Sequence, residues 1–330
     1  MSKKKCHRSC GIGGQAVLEG VMMKKGDLYS VTVRKPDGEL AIDTEEFHGV
    51  MHGNKMKEVP FIRGIFNFVD SLMLGTRTLT YSSQFIEDEV ARETAMDKWV
   101  KKTFKENAEN VVSGFTVVLS IILAIAIFMV LPYFISSLLN DYVRHTTVLA
   151  ILEGLIRLAI FVGYVVLISA MEDIKRVYMY HGAEHKCINC IEHGKELNVK
   201  NVMASSRLHK RCGTSFMLLV MVISIVMFMF ISVENPALRV LIRVLLVPVI
   251  AGISYEVIRL AGNNSNNIWV KMISAPGMWL QTLTTKEPTE DMVEVAIKSV
   301  EAVFDWREYL KEEFGYDQEV EEDNEEKIPS

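Results

Sequence analysis

Four long apolar stretches in the middle of the chain constrain its fold more than anything else. Val111–Leu139 carries an uncharged run that includes Ile121, Ile122, Leu123, Ile125, Ile127 and Phe128. Val148–Ala170, Gly213–Val233 and Ala237–Leu260 follow, the third rich in Met, Val and Ile. Roughly 20 apolar residues, at about 1.5 Å of helical rise each, cross about 30 Å of hydrocarbon. All four stretches are therefore expected to be transmembrane helices. The fold class predicted is mainly α: a polytopic membrane protein with four transmembrane helices, a small N-terminal cytoplasmic β-hairpin region and a C-terminal amphipathic helix.

Charge sets the expected orientation. Lys98, Lys101, Lys102 and Lys105 precede the first span, and the 136–147 connection carries only Arg144. The 171–212 connection carries eight basic residues, from Lys175 and Arg176 to Lys210 and Arg211, and Glu234-Asn235-Pro236 is a tight turn. Both termini and the 171–212 connection are thus expected on the cytoplasmic side of a multi-pass protein. The formal net charge of −5 over 330 residues is too small to imply a nucleic-acid partner. The partner implied is the lipid bilayer, with a second copy of the chain or another membrane protein as further candidates. No apolar h-region follows the basic start Lys3-Lys4-Lys5, so no secretory signal is expected. The five cysteines (Cys6, Cys10, Cys187, Cys190 and Cys212) are odd in number and lie on the expected reducing side, which argues against a disulfide framework.

The chain divides into six segments. Residues 1–58 hold a basic tail with Cys6, His7 and Cys10, a glycine-rich stretch at 11–23 read as turns or close backbone approach, and a β-hairpin. Residues 28–35 and 39–47 flank Pro36-Asp37-Gly38, and Val31 and Val33 alternate with Thr32 and Arg34. That is hairpin patterning around turn chemistry, although a lone hairpin is marginal and must rest on something. Residues 59–110 place Phe61, Ile65, Phe68, Leu72 and Leu79 near helical spacing, interrupted by Arg63, Asp70 and Arg77. A helix lying on the membrane is expected there, then a charged connecting helix over 87–109. Residues 111–171 and 213–262 hold the span pairs, with the connection 172–212 between them. Residues 263–330 open on a polar break at 263–267. A surface-docking turn around Pro276-Gly277 follows, then a helix opened by Thr289 with an apolar stripe of Val293, Ala296, Ile297, Val300 and Phe304, and an acidic tail.

The chemistry concentrates in the 172–212 connection. His181 and His185 are four apart and share a face if helical, and Glu184 adjoins the second. His-x-x-Glu-His reverses the His-Glu-x-x-His order of zinc proteases, in which two imidazoles hold the metal and the Glu acts on water. Gly182 weakens the expectation of helix across the motif, and exposed juxtamembrane histidines are the bland alternative. Three residues could complete a site at the membrane surface: His209, Cys212 just before the third span, and Glu256 near the cytoplasmic end of the fourth. Glu256 could instead pair with Arg259, and Glu19 could join if the N-terminal segment folds over the site. Cys187-x-x-Cys190 reads as bystander thiols more readily than as a redox pair or half a zinc site. Inside the spans, Glu153 and Arg157 lie at a depth similar to Arg239 and Arg243, which suggests ion pairing between helices.

Several motifs in fixed order carry a family resemblance: GGQAVLEGVMM at 13–23, YHGAEHK at 180–186, HKRCGTSF at 209–216 and PGMWLQTLTTKEP at 276–288. Over roughly 11–310 the chain resembles the DUF1385, or YqhQ-like, family of bacterial membrane proteins, described as predicted metal-dependent enzymes. The resemblance implies a bacterial plasma-membrane location. It implies a divalent metal, Zn²⁺ in the first instance, at His181 and His185 with Glu184 beside them, and extends to His209 and Cys212. The expectation is a metal-dependent, hydrolytic membrane enzyme with Glu184 as general base and His181, His185, His209, Cys212 and Glu256 as candidate ligands. A non-enzymatic scaffold or assembly factor with a structural His/Cys cluster is the alternative, and a transporter the third reading.

Overall fold

The computed structural model describes residues 9–55, 59–86, 108–139, 141–143, 145–231, 233, 235–263 and 268–316. The expected connecting helix at 87–109 falls almost wholly outside these residues. So do Cys6 and His7, most of the 263–267 break, and the acidic tail.

The N-terminal region holds more strand than the sequence suggested. Besides the expected hairpin, β3 (Leu28–Arg34) and β4 (Leu40–Glu46), the glycine-rich stretch forms β1 (Ile12–Val17) and β2 (Gly20–Lys25). The four make an antiparallel meander in chain order. Its glycines serve close approach: a Cβ at Gly20 would lie 2.2 Å from the Thr32 carbonyl oxygen, and one at Gly14 would lie 2.7 Å from that of Met22. Both faces of the sheet are covered. Val21 and Met23 point one way, while Met22, Tyr29, Val31 and Val33 point the other, against Leu74.

Leu74 belongs to α1 (Ile62–Ser83). The buried face of α1 is Gly64, Asp70, Leu74, Gly75, Thr78 and Ser82, whereas Leu72, Met73 and Leu79 are exposed. Apart from Leu74, the buried face is made of small and polar residues, while several large apolar ones face outward. Gln15 of β1 donates to Thr78 Oγ1 at 2.8 Å and to the Gly75 carbonyl at 3.3 Å.

Among the described residues, three helices are long and apolar enough to cross a membrane: Gly114–Ser137, Thr147–Ile168 and Ala237–Leu260. The first is built from α2 (Ala108–Ile125), a π-helical turn (Ala126–Val130) and α3 (Leu131–Ser137). The second lies in α4 (Thr146–Ile168) and the third in α8 (Pro236–Asn263). The remaining expected span is the apolar helix α7 (Gly213–Met229), which ends at 17 residues. It packs closely on α4, where a Cβ at Gly154 would meet Ile225 at 2.5 Å.

The ion pair expected between the spans is present in part. Arg243 grips both oxygens of Glu153, with Nη2 to Oε2 at 2.9 Å, and Arg157 Nη2 donates to Oε1 at 2.9 Å. Arg157 Nε also donates to the Phe128 carbonyl at 2.8 Å, inside the π-helical turn where the regular ladder is interrupted. Arg239 lies outside this group. Its Nε donates to the Val233 carbonyl at 2.8 Å and its guanidinium stacks on Tyr133.

The remaining helices are α5 (Glu172–Glu192), α6 (Val199–Met203), α9 (Ile268–Thr284), α10 (Glu290–Glu301) and α11 (Trp306–Phe314), of which α9 is largely apolar and leaves Ile268, Met272 and Trp279 exposed. Met171 is extended, so α5 starts afresh and does not prolong α4. Residues 268–284 make a helix through Pro276 where a docking turn was expected; Gly277 lets it close on Ser215, 2.7 Å from where a Cβ would sit. The stripe of α10 (Val293, Ala296, Ile297 and Val300) is buried between the sheet and α5, in one core with Tyr180, Ile188, Ile191 and Trp306.

Candidate metal centre

The helix α5 carries His181, Glu184 and His185, and Gly182 does not break it. A Cβ at Gly182 would lie 2.0 Å from the Lys286 carbonyl oxygen. The glycine is there because the segment joining α9 to α10 crosses directly over it, and the Lys286 N–H donates to the Tyr178 carbonyl at 2.9 Å. The same crossing brings the end of α9 to His181.

A second segment, 204–212, is fastened along α5 by buried polar side chains. Lys186 Nζ donates to the carbonyls of Met203 at 2.8 Å and Ser205 at 3.0 Å. Asn189 Nδ2 donates to those of Ser206 at 2.7 Å and Leu208 at 3.0 Å. From α9, Gln281 clamps the His209 backbone: its Oε1 accepts from the His209 N–H at 2.9 Å and its Nε2 donates to the His209 carbonyl at 2.6 Å. Side chains satisfy the backbone of this irregular, partly buried segment, which delivers Cys212 to the start of α7.

The two imidazoles are oriented alike. His181 Nδ1 lies 3.0 Å from the Thr284 carbonyl oxygen and His185 Nδ1 lies 2.6 Å from that of Arg207. A carbonyl can only accept, so Nδ1 carries the proton in each ring, and in a neutral imidazole Nε2 keeps a bare lone pair. Both Nε2 atoms point at one place. His181 Nε2 is 3.3 Å from Cys212 Sγ, and the Glu184 carboxylate lies 3.9 Å from His181 Nε2 and 3.5 Å from His185 Nε2. One ligand atom from each of His181, His185 and Cys212 lies within 4.8 Å of the others. A tetrahedral ion with Zn–N of about 2.1 Å and Zn–S of about 2.3 Å separates neighbouring ligands by about 3.6 Å, so small side-chain rotations complete the set. Two imidazoles and a thiol suit Zn²⁺, and backbone carbonyls holding the far nitrogen are the usual outer support of such ligands.

The site is closed on most sides. His185, Glu184 and Cys212 are buried, and only the His181 side chain keeps an exposed edge, at 15%. Gly14 of β1 forms one wall, where a Cβ would come 2.9 Å from Glu184 Cγ. Burial pushes the Glu184 carboxyl above its ordinary range, opposed by His181 and His209.

The other candidate residues fall elsewhere. His209 is adjacent, its ring 5.8 Å from that of His185, but its Nε2 is engaged by the buried Glu192 at 3.2 Å. Glu256 is held by α1, not by the histidines: Arg63 Nε donates to it at 2.6 Å and the Phe61 N–H at 3.3 Å, and neither contact is the Arg259 pairing weighed from sequence. Glu19 is bound by Arg176, whose Nε donates at 2.5 Å. Cys187 and Cys190 are buried and free, and burial raises both thiols, Cys190 to about 11. Sequence reasoning passed over Glu192, Asn189, Lys186 and Gln281, because a polar residue's buried role depends on a partner distant in sequence.

Residues 59–306 match the family model described as "Protein of unknown function (DUF1385)". A Bacillus subtilis (strain 168) protein named "Uncharacterized protein YqhQ" is 36% identical over 289 residues, covering 87% of this chain and 90% of that one. No solved structure matches.

Proposed function

The chain belongs to the DUF1385 family, and from that premise we propose that it is a membrane-anchored metalloenzyme, hydrolytic in type, with its centre at His181, His185 and Cys212. One observation carries the reading: both histidines are locked by backbone carbonyls so that their free Nε2 atoms converge with Cys212 Sγ beside a buried carboxylate. A divalent ion held there would supply Lewis-acid chemistry. Thr284 and Arg207 fix the rings. Glu184, too far from His181 to compete with Cys212 for it, is placed to take a proton from an attacking water. The exposed edge of His181 is the side from which a substrate would enter. Glu256 has no part in this ligand set, and His209 positions the segment that carries Cys212.

The proposal includes a fourth crossing by α7. The first two turns of α7 and the last two of α8 line one small cleft, through Ser215 and Leu219 on one side and Val257 and Ile258 on the other. The two helices therefore run antiparallel side by side, and a partner of a spanning helix traverses the same depth. The hydrophobic stretch of α7 is short, which a bilayer accommodates by local thinning. Four crossings, with the basic residues of 171–212, support a cytoplasmic position for the centre and both termini. A reporter fused after residue 316 that reads out as external would reject this arrangement.

The test of the centre is metal content in detergent-purified full-length protein. Wild type is expected to carry about one equivalent and His181→Ala and His185→Ala none; metal-free wild type prepared without chelators rejects the site. The near-complete burial of the centre favours a second reading, a structural ion in an assembly factor. Glu184→Gln separates the two. As a catalytic base its loss leaves metal bound and abolishes the cellular phenotype of the gene, whereas a structural site tolerates it.

A further inference from the structure

A second group of potential ligands lies on the outer edge of the sheet, on the connection from β4 to α1. Asp27 sits in the two-residue turn between β2 and β3, after Gly26 at φ 62. His48 and His52 lie just past β4, with ring centroids 4.3 Å apart. One ligand atom from each of Asp27, His48 and His52 lies within 4.8 Å of the others. His52 Nε2 is 3.4 Å from Asp27 Oδ2, and His48 Nε2 is 3.3 Å from Glu46 Oε2.

The backbone that presents these side chains is fixed. The buried carboxylate of Asp70 accepts from the Val50 N–H at 2.8 Å. It also presses on Gly49 so closely that a Cβ there would fall 1.9 Å from Oδ2. The Phe47 N–H donates to the Asp27 carbonyl at 2.8 Å and the His52 N–H to that of Gly49 at 2.9 Å. The backbone positions that bring the three side chains together are therefore set by contacts other than those between the side chains themselves.

We infer that Asp27, His48 and His52 form a second, surface site for a divalent transition ion such as Zn²⁺ or Ni²⁺. Two imidazoles and a carboxylate on one side leave the remaining positions to water, and imidazole selects these ions over Mg²⁺ and Ca²⁺. Glu46 lies against His48 but is not one of the three ligands that converge. All three side chains are about half exposed, at 51%, 49% and 51% for Asp27, His52 and His48. Such a site exchanges its ion readily and binds more weakly than the buried centre. A bound ion joins the β2–β3 turn to the lead-in of α1 and so staples the sheet edge. The inference does not depend on the buried centre.

The test is Zn²⁺ titration, by calorimetry, of chelator-stripped full-length protein in detergent. Wild type is expected to show a weak class of sites that His48→Ala/His52→Ala removes and Asp27→Asn weakens, while His181→Ala leaves it intact. All three surface positions tolerate substitution without loss of packing. An isotherm unchanged in His48→Ala/His52→Ala overturns the inference, and so does a wild-type isotherm with no such class. Loss of the tight class alone, in His181→Ala, bears on the buried centre and leaves this one standing.

Discussion

Two groups of buried polar side chains do opposite things in this molecule. Among the apolar helices, Glu153, Arg157 and Arg243 satisfy one another. Both carboxylate oxygens are taken, and the guanidiniums add the Phe128 carbonyl and the face of Phe228. Beside α5, the backbone satisfies only the far side of each histidine and leaves Nε2, a thiol and a carboxylate facing one another. The first group is closed, and nothing further is needed to stabilise it. The second is organised around a position that a cation fits. Burial alone therefore does not single out a candidate site; donors and acceptors converging without mutual completion do.

The largest effect that would test this contrast is on the closed group. Glu153→Ala or Arg243→Ala should each destabilise the folded protein by about 3–5 kcal/mol, because the partner left behind is a buried unpaired charge. The double substitution should cost less than the sum, measured by unfolding in detergent micelles; additive losses would show that the two do not act as a pair.

Next in size is the effect of metal on stability. Zn²⁺ at about 100 times its dissociation constant should stabilise wild type by about 2.7 kcal/mol, and His185→Ala or Cys212→Ser should abolish the shift. Equal shifts in wild type and in both variants would place the ion elsewhere.

Gly182→Ala should follow, at about 1–3 kcal/mol. Its Cβ must displace the Lys286 carbonyl, and with it the end of α9 that orients His181. A lowered Tm together with weakened metal binding is expected; a variant matching wild type in both would mean that the crossing gives way freely.

The smallest effect concerns the thiols. Cys10, Cys187 and Cys190 are buried with raised pKa values, near 12 for Cys10 and 11 for Cys190. They should resist alkylation at pH 8 until the protein unfolds, whereas protection of Cys212 should increase when Zn²⁺ is added. Peptide mass spectrometry reads both; Cys212 labelling that ignores Zn²⁺ would remove the thiol from the centre.

Much of this was legible in the sequence wherever the signal is local. Hydropathy marked the apolar helices, alternation marked β3 and β4, and the spacing of His181 and His185 put them on one face. The glycines of 11–23 fitted either turns or close backbone approach, and the strands take the second, because a close strand crossing demands the same residue as a bend. Two local readings misled. Pro276 looked like a break, although a helix packed on Ser215 tolerates it. Gly182 looked helix-weakening, yet its missing side chain admits the α9–α10 segment.

The sequence by itself determined that the chain carries helices apolar enough to cross a membrane, and it named His181, His185 and Cys212 among its candidate ligands. Tertiary structure alone decided that the Thr284 and Arg207 carbonyls set the histidine tautomers. It also decided that Glu256 answers to Arg63, that α1 turns Leu72, Met73 and Leu79 outward while Leu74 packs on the sheet, and that Asp27 meets His48 and His52. Hydropathy and periodicity are properties of neighbours along the chain. The partner of a buried polar group is chosen by packing across it, from positions far apart in the chain, 103 residues for His181 and Thr284 and 193 for Arg63 and Glu256.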